Sequence, residues 1–407
     1  MLPDFNYLVV LGRQPDFGIA ELESMFGSDR VIPFGSGCAL VNPPSDARPF
    51  NQLGGSIKLA KIITSTESRE WKSVESLLVK MVPDIIQDLP EGKIKLGISV
   101  FGMRIKPNDI NKLGLTLKKT IKLLGRSARV IPNKTIALNS AQVIHNQLTS
   151  DLGCELVIVT NDRHTLVCQT MQEQDIDAYA ARDQNRPFRD AKVGMLPPKL
   201  AQTIINLGAG NVSPSGDGII LDPFCGTGVI LQEAILMGFG AYGSDLSERM
   251  IEYSKKNLVW LQEQPYLADI YKNSGIGSPH PPALEIGDAT MHNWKQNFTF
   301  VAGETYLGKP LSSVPSAALL STLVDEVNNL HYRFLVNIGR QIKSGTTLCL
   351  AVPSWRVKNG FVHLKVLDQL NSLGYTRKKF VHVQNKDLIY YREDQIVARE
   401  LVVLTKQ

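Results

Sequence analysis

With 407 residues, 43% of them hydrophobic and 20% charged, the chain is long enough for two or three domains and too apolar to be disordered. No apolar run approaches the roughly 20 residues of a membrane helix, and the start Met1-Leu2-Pro3-Asp4-Phe5 has no basic segment of a secretory signal. The five cysteines form no C-x-x-C pair, which argues against a metal site and for a reducing, cytoplasmic setting. The net charge of +5 is unevenly spread: residues 91–134 hold eleven basic side chains against two acidic ones, which points to a polyanion partner.

Residues 1–90 read as a small α/β lobe. Asn6 to Gly12 is a strand running into a glycine, Phe17 to Gly27 has helical spacing and a glycine stop, and Cys38 to Val41 is a second strand. Asn42-Pro43-Pro44-Ser45 is a turn, and Gly54 to Ile63 is another glycine-bounded apolar run. Residues 91–172 alternate more regularly. Strand Leu96–Phe101 is followed by a helix with Ile110, Leu113, Leu117, Ile121 and Leu124 on one stripe, then strand Ala128–Ile131, helix Ser140–Leu148 and strands Glu155–Val159 and Thr165–Gln169. Lys112, Lys118, Lys119 and Lys122 lie off the apolar stripe, and Arg126, Arg129 and Lys134 continue the basic run beyond the helix. They are either a solvated face or contacts to a nucleic-acid backbone, which would add affinity and salt sensitivity rather than sequence choice.

Residues 173–198 read as a hinge, ending in Leu196-Pro197-Pro198, where proline suits the first turn of a helix over 199–207. From 199 to 407 strands at 218–222, 240–244, 283–287, 298–302, 346–351, 378–384 and 396–404 alternate with helices at 226–238, 248–262, 323–342 and 364–373. That pattern implies a doubly wound α/β sheet. Its centre is Ile219 to Gly228, an apolar strand that stops at Asp222-Pro223 and turns through Gly226 and Gly228 into a helix. Asp245 ends the next strand 23 residues on, close to the interval of about 20 at which an acid takes the ribose hydroxyls of a nucleoside. Two ligands compete for such a unit. A dinucleotide wants G-x-G-x-x-G, but here the third glycine is missing. Asp222 at the mouth would repel a pyrophosphate, whereas it suits the cationic amino acid end of S-adenosylmethionine.

The string D-P-F-C-G-T-G resembles motif I of amino-methyltransferases acting on RNA and DNA. The β-α-β-α-β-β order of 91–172 with its basic helix face resembles a THUMP domain, an RNA-binding module. With the start L-G-R-Q-P at 11–15, the hinge strings R-D-x-x-R-P-x-R-D and L-P-P-K-L-A, and Y-Y-R-E-D-Q at 390–395, the chain resembles THUMP-containing tRNA guanosine N2-methyltransferases over nearly its full length. The resemblance implies a class I methyltransferase domain of seven doubly wound strands, preceded by the small lobe and the THUMP-like domain. Its partner would be tRNA, with no membrane or metal and a monomer as default.

The same resemblance implies that Asp222, Phe224, Gly226, Gly228, Asp245 and Leu246 line the cofactor. It also implies that Asp288, beside Ala289, takes the adenine amino group and that Pro198 covers the methionine end. In this family the fourth strand ends in D-P-P-Y or N-P-P-Y, whose acid or amide holds the target amine while the aromatic ring stacks on the flipped base. Here Ala302-Gly303-Glu304-Thr305-Tyr306-Leu307-Gly308 offers an acid, Glu304, and an aromatic, Tyr306, without the two prolines. Two alternatives stay open: a catalytically inactive tRNA-binding protein, or a DNA amino-methyltransferase.

Overall fold

The computed structural model describes residues 5–189, 195–210, 212, 214, 218–265, 282–311 and 313–407, so Asp190 and Gly194 of the hinge lie outside the described residues. Two mixed sheets organise these residues. The first takes β1 (Tyr7–Leu11), β2 (Val31–Pro33), β3 (Cys38–Val41), β4 (Ser56–Thr66), β5 (Ile94–Phe101), β6 (Ala128–Val130), β7 (Gly153–Thr160) and β8 (Thr165–Glu173), in the order β2-β3-β1-β4-β8-β7-β5-β6. Segments 1–90 and 91–172 thus give four strands each to one sheet, joined where β4 and β8 run antiparallel. Helices α1 (Pro15–Phe26), α2 (Trp71–Gln87), α3 (Pro107–Leu123) and α4 (Ser140–His145) accompany it, and α5 (Ile176–Gln184) follows β8.

Helix α2 has no counterpart in the sequence reading, although Val74, Leu78, Val82 and Ile86 recur every four residues and are all buried. In α3 the stripe Ile110, Leu113, Leu117 and Ile121 is buried as expected. Leu124 falls past the helix end and is 49% exposed, because Gly125 at φ +78° turns the chain away.

The interior of the first sheet carries charge. Lys58 Nζ lies 2.8 Å from Glu155 Oε1 and 2.9 Å from Glu173 Oε2, with all three side chains almost wholly buried. Ser99 Oγ and Thr170 Oγ1 each donate to Glu155 at 2.6 Å. Burial raises the Glu173 pKa and the Lys58 ammonium opposes the rise, so the lysine is what makes two carboxylates tolerable here.

The second sheet follows the order β11 (Ala283–Ile286), β10 (Gly240–Asp245), β9 (Ile219–Asp222), β12 (Phe300–Glu304), β13 (Thr347–Val357), β17 (Val397–Lys406) and β15 (Tyr375–Arg377), with β14 (Gly360–Val362) on β13 and β16 (Ile389–Tyr390) on β17. Strands β11, β10, β9, β12 and β13 are mutually parallel, while β17 runs antiparallel to β13 and β15. Helices α6 (Pro198–Ala209), α7 (Val229–Leu236), α8 (Glu248–Gln262) and α9 (Ala317–Gly339) belong to this half. Chain order reverses direction across the sheet between β9 and β12, and such a switch point opens a crevice at the carboxyl ends of the strands.

Among the described residues this sheet has nine strands where seven were expected, the short β14 and β16 pairing off its main path, and two further readings change. Residues 378–384 are not a strand; 375–377 pairs with β17 instead. The backbone N–H groups of Val381 and His382 go to the Glu23 carboxylate of α1, at 2.7 and 3.1 Å, so they are not free for a ladder. The fourth strand of this half runs to Glu304, which makes that acid a strand end rather than a loop residue.

Helix α6 joins the two halves and is buried all round. Asn206 Nδ2 donates to Glu21 Oε1 of α1 and to Gln52 O, both at 2.7 Å, and Lys199 Nζ donates to Ser56 O at 2.8 Å. The Glu21 carboxylate also accepts the Gly54 and Gly55 N–H groups at 2.9 and 2.7 Å. Gly54 passes so close to α6 that a Cβ there would sit 2.0 Å from Lys199 O and 2.8 Å from Thr203 N. Both are helix backbone and cannot turn aside. A Gly54→Ala variant should therefore lose about 2–3 kcal/mol, the upper range for overpacking, in urea unfolding. A loss below about 0.5 kcal/mol would show that the two halves are not packed this tightly.

Candidate active site

The crevice is built on three strand ends. Asp222 closes β9, Asp245 closes β10 and Glu304 closes β12, on neighbouring parallel strands. After Asp222 the backbone turns through Gly226 at φ +52° and Gly228 at φ +83°, both in the left-handed region that side chains disfavour. Helix α8 grips this turn: Ser254 Oγ donates to Gly226 O at 2.8 Å and Asn257 Nδ2 donates to Thr227 O at 2.9 Å. Asn257 also donates to Phe188 O and accepts from Phe188 N–H, which straps the hinge segment onto the turn. The space where a Gly226 Cβ would stand is open, its nearest atom being Phe224 O at 3.9 Å. The turn is thus a cradle that a side chain would fill.

Acceptors line the cradle. Asp222 is 2% exposed, and its Oδ1 accepts from Phe224 N–H at 3.1 Å. Asp245 accepts from Gly226 N–H through Oδ2 at 3.0 Å and from Ser247 N–H through Oδ1 at 2.9 Å, so the carboxylate is locked in orientation while each oxygen keeps a second lone pair. Burial drives the Asp222 pKa well above the ordinary carboxylate range; the Phe224 N–H opposes this and the charges of Asp245 and Glu304 add to it. Asp245 is raised as well, chiefly by burial. A cation entering the crevice would relieve this crowding.

The other expected residues sort as follows. Phe224 packs edge-on against Phe334 of α9, with ring centroids 5.0 Å apart. Asp288 follows β11 and accepts from Thr290 N–H at 2.9 Å, and Ala289 beside it is buried. The Gly287 N–H bonds to Asp245 O at 2.9 Å, which brings this turn alongside β10. Leu246 is 73% exposed just beyond Asp245, while Pro198 is buried at the first turn of α6. Glu304 does not point freely into the crevice, because Arg399 Nε of β17 donates to its Oε1. Burial raises the Glu304 pKa and Arg399 opposes the rise. Tyr306, two residues on, is 39% exposed.

Gly303 sits between the two acids. A Cβ there would come within 2.5 Å of Asp222 Oδ1, so the carboxylate occupies the space of the side chain missing at 303. The sequence reading gave no role to Gly303, Arg399 or Asn257. The Arg399-Glu400 pair inside the apolar run 397–404 was a visible signal.

Among the basic residues, Lys118, Lys119, Lys122, Arg129 and Lys134 are exposed, and exposed Lys112 pairs with Asp109 at 3.0 Å. Arg126 differs from the rest. Its Nη1 donates to Ile86 O and Leu89 O at 3.4 and 3.2 Å, so it caps the carboxyl end of α2.

A family model described as DNA methylase matches residues 174–256, the hinge through the first turns of the crevice. A tRNA (guanine(10)-N2)-dimethyltransferase of Pyrococcus abyssi is 39% identical over 169 residues, covering 42% of this chain and 41% of the relative. One from Methanothermobacter thermautotrophicus is 41% identical over 101 residues, covering 25% and 28%. The matches therefore span less than half the length of these curated relatives. The crystal structure of TrmN from Thermus thermophilus superposes with a TM-score of 0.50 at 13% identity, over 98% of this chain and 99% of that one, which is a likeness of fold. Over a quarter to two fifths of its length the chain is thus similar to tRNA (guanine(10)-N2)-dimethyltransferases, and along nearly its whole length it has the mixed α/β fold of TrmN.

Proposed function

We propose that the chain is an S-adenosylmethionine-dependent RNA methyltransferase that methylates the exocyclic N2 amine of a guanosine in tRNA. The observation that carries the reading is the set of carboxylates at the ends of β9, β10 and β12 around an open glycine turn. A cationic amino acid and a ribose diol are what such acceptors fit; a pyrophosphate is not. Asp222 would face the cationic end of the cofactor, Asp245 the ribose hydroxyls and Asp288 the adenine amine, with Phe224, Leu246, Ala289 and Pro198 as walls. The bound cofactor supplies an electrophilic methyl group. The protein's part is to hold the guanine amine by its hydrogens at Glu304, to stack the base on Tyr306 and to keep water out.

In this reading residues 199–407 are a class I methyltransferase domain, 91–172 a THUMP-like domain, 1–90 a lobe that extends its sheet, and 173–198 the hinge. The exposed Lys118, Lys119, Lys122, Arg129 and Lys134 would grip the tRNA backbone together with Lys112. A cytoplasmic setting suits that substrate. One observation favours a second reading: the Arg399 contact occupies part of the Glu304 carboxylate, as it would in a tRNA-binding protein without transfer.

The test is transfer of labelled methyl from S-adenosylmethionine to unmodified tRNA and to DNA, followed by nucleoside analysis. N2-methylguanosine in tRNA is the expected product. Labelled methyladenine or methylcytosine in DNA would replace the substrate. Binding of both cofactor and tRNA with no transfer to any nucleic acid would establish the second reading.

A further inference from the structure

Glu304 and Thr305, at the mouth of β12, are held by two other elements, β17 and α9. Arg399 of β17 reaches across β13, where Ala351 pairs with both Glu304 and Leu401, and its Nε donates to Glu304 Oε1. The pair is secluded, its side chains 6% and 15% exposed. Thr305 is 3% exposed; its N–H donates to Ala351 O, also of β13, at 3.0 Å, and its hydroxyl lies 2.7 Å from His331 Nε2 of α9.

The histidine's state follows from its other nitrogen. Nδ1 lies 2.8 Å from Val327 O, and a carbonyl can only accept, so Nδ1 carries the proton. Burial holds the His331 pKa down to about 4, so the ring is neutral and its bare Nε2 can only accept, from a Thr305 hydroxyl that also lies 3.1 Å from Ala351 O. Tyr306 is the first side chain beyond these two grips, and it is exposed.

Stability alone does not call for this arrangement, since well-packed apolar residues often replace a buried ion pair at no cost. Its position does suggest a use, because it lies directly behind Glu304 and Tyr306, the acid and the aromatic ring at the end of β12. We propose that Arg399 and His331 are positioning residues: Arg399 holds the Glu304 carboxylate with one oxygen turned to the target amine, and His331, through Thr305, sets the backbone that presents Tyr306 to the base. Neither touches substrate. This proposal rests on the methyltransferase reading above.

The test uses the full chain with Arg399→Met, Arg399→Lys, Glu304→Gln and the Arg399→Met/Glu304→Gln double variant. Removing the grip should lower kcat by about a hundredfold, the usual effect of misplacing a reacting group by 1 Å. KM for S-adenosylmethionine and for tRNA should stay within about threefold, a split that general loss of structure would not produce. Arg399→Lys should recover part of kcat, and the double variant should be no slower than the worse single one. A native kcat in Arg399→Met, or losses that multiply in the double variant, would overturn the proposal.

A second readout does not need activity. Carbon-13 titration should show the Glu304 carboxyl moving to higher pKa in Arg399→Met, and nitrogen-15 shifts should show His331 protonated on Nδ1 in wild type and altered in Thr305→Val. An unmoved Glu304 or the opposite tautomer overturns the grips themselves. If wild type transfers no methyl while both signatures hold, it is the methyltransferase reading that fails.

Discussion

An Asp222→Asn variant should bind S-adenosylmethionine about 30-fold to several thousand-fold more weakly than wild type, with the fold intact. The substitution keeps the shape of the side chain and removes its charge. Truncating one member of a buried charge pair typically costs about 2–5 kcal/mol, which converts to that range. The pH dependence separates a direct role from a general one. Burial holds the Asp222 pKa well above 3.8 in the free protein, and a cationic ligand needs the ionised form. Wild-type affinity should therefore rise with pH until that raised value is passed, and a proton should be released on binding below it. Asp245, also raised, leaves the variant only a shallower slope. Isothermal titration in two buffers of different ionisation enthalpy measures affinity and proton release together. A variant that binds within about threefold of wild type, or releases the same number of protons, would remove Asp222 from the cofactor's cationic end.

The second large effect lies far from the crevice. Lys58→Met should destabilise the chain by about 3–5 kcal/mol, because it leaves Glu155 and Glu173 buried without their cation. Its methionine fills much the same volume, so little of this loss is packing. The loss should depend on pH. A carboxyl whose folded pKa is raised contributes stability below its unfolded value and loses that contribution as pH rises through the folded value. Glu173 is already raised from 4.5 by burial, with Lys58 opposing the rise. Without the lysine the deficit should be small in acid and widen from about that pH towards neutrality. Urea unfolding at pH 4.5, 6 and 7.5 follows it. A deficit below about 1 kcal/mol, or one that grows on acidification, would show that the cluster is not carried by its lysine.

Local pattern made much of this molecule readable from its sequence. The strand, glycine turn and helix around Asp222 to Gly228 were legible because an apolar run stops at an acid and two glycines before a second apolar run, and Asp245 ends the next strand as expected. The stripe on α3 was visible because its period is that of a helix. What failed to show was whatever depends on residues distant in the chain. Residues 378–384 look like a strand until Glu23, more than 350 positions earlier, takes their N–H groups. Arg126 looks like part of a basic surface until the end of α2 arrives beneath it. Glu304 looked like a free loop acid because neither Arg399, 95 positions on, nor the added length of β12 is encoded nearby. Helix α2 is the exception: its spacing was local and was overlooked.

Helix α6 has a consequence for how the chain can be divided. A helix apolar on one face leaves a domain that can stand in water when its neighbour is cut away. α6 has no such spare face: α1 and the Gly54 turn cover one side, while α7, β12 and β13 cover the others. A catalytic fragment that begins near residue 199 would expose that first side, together with Asn206 stripped of Glu21 and Gln52. The two halves are therefore poor candidates for exchange with foreign modules. A load taken up by the amino-terminal sheet would reach the second half through α6 and through the Glu23 contacts with Val381 and His382 together.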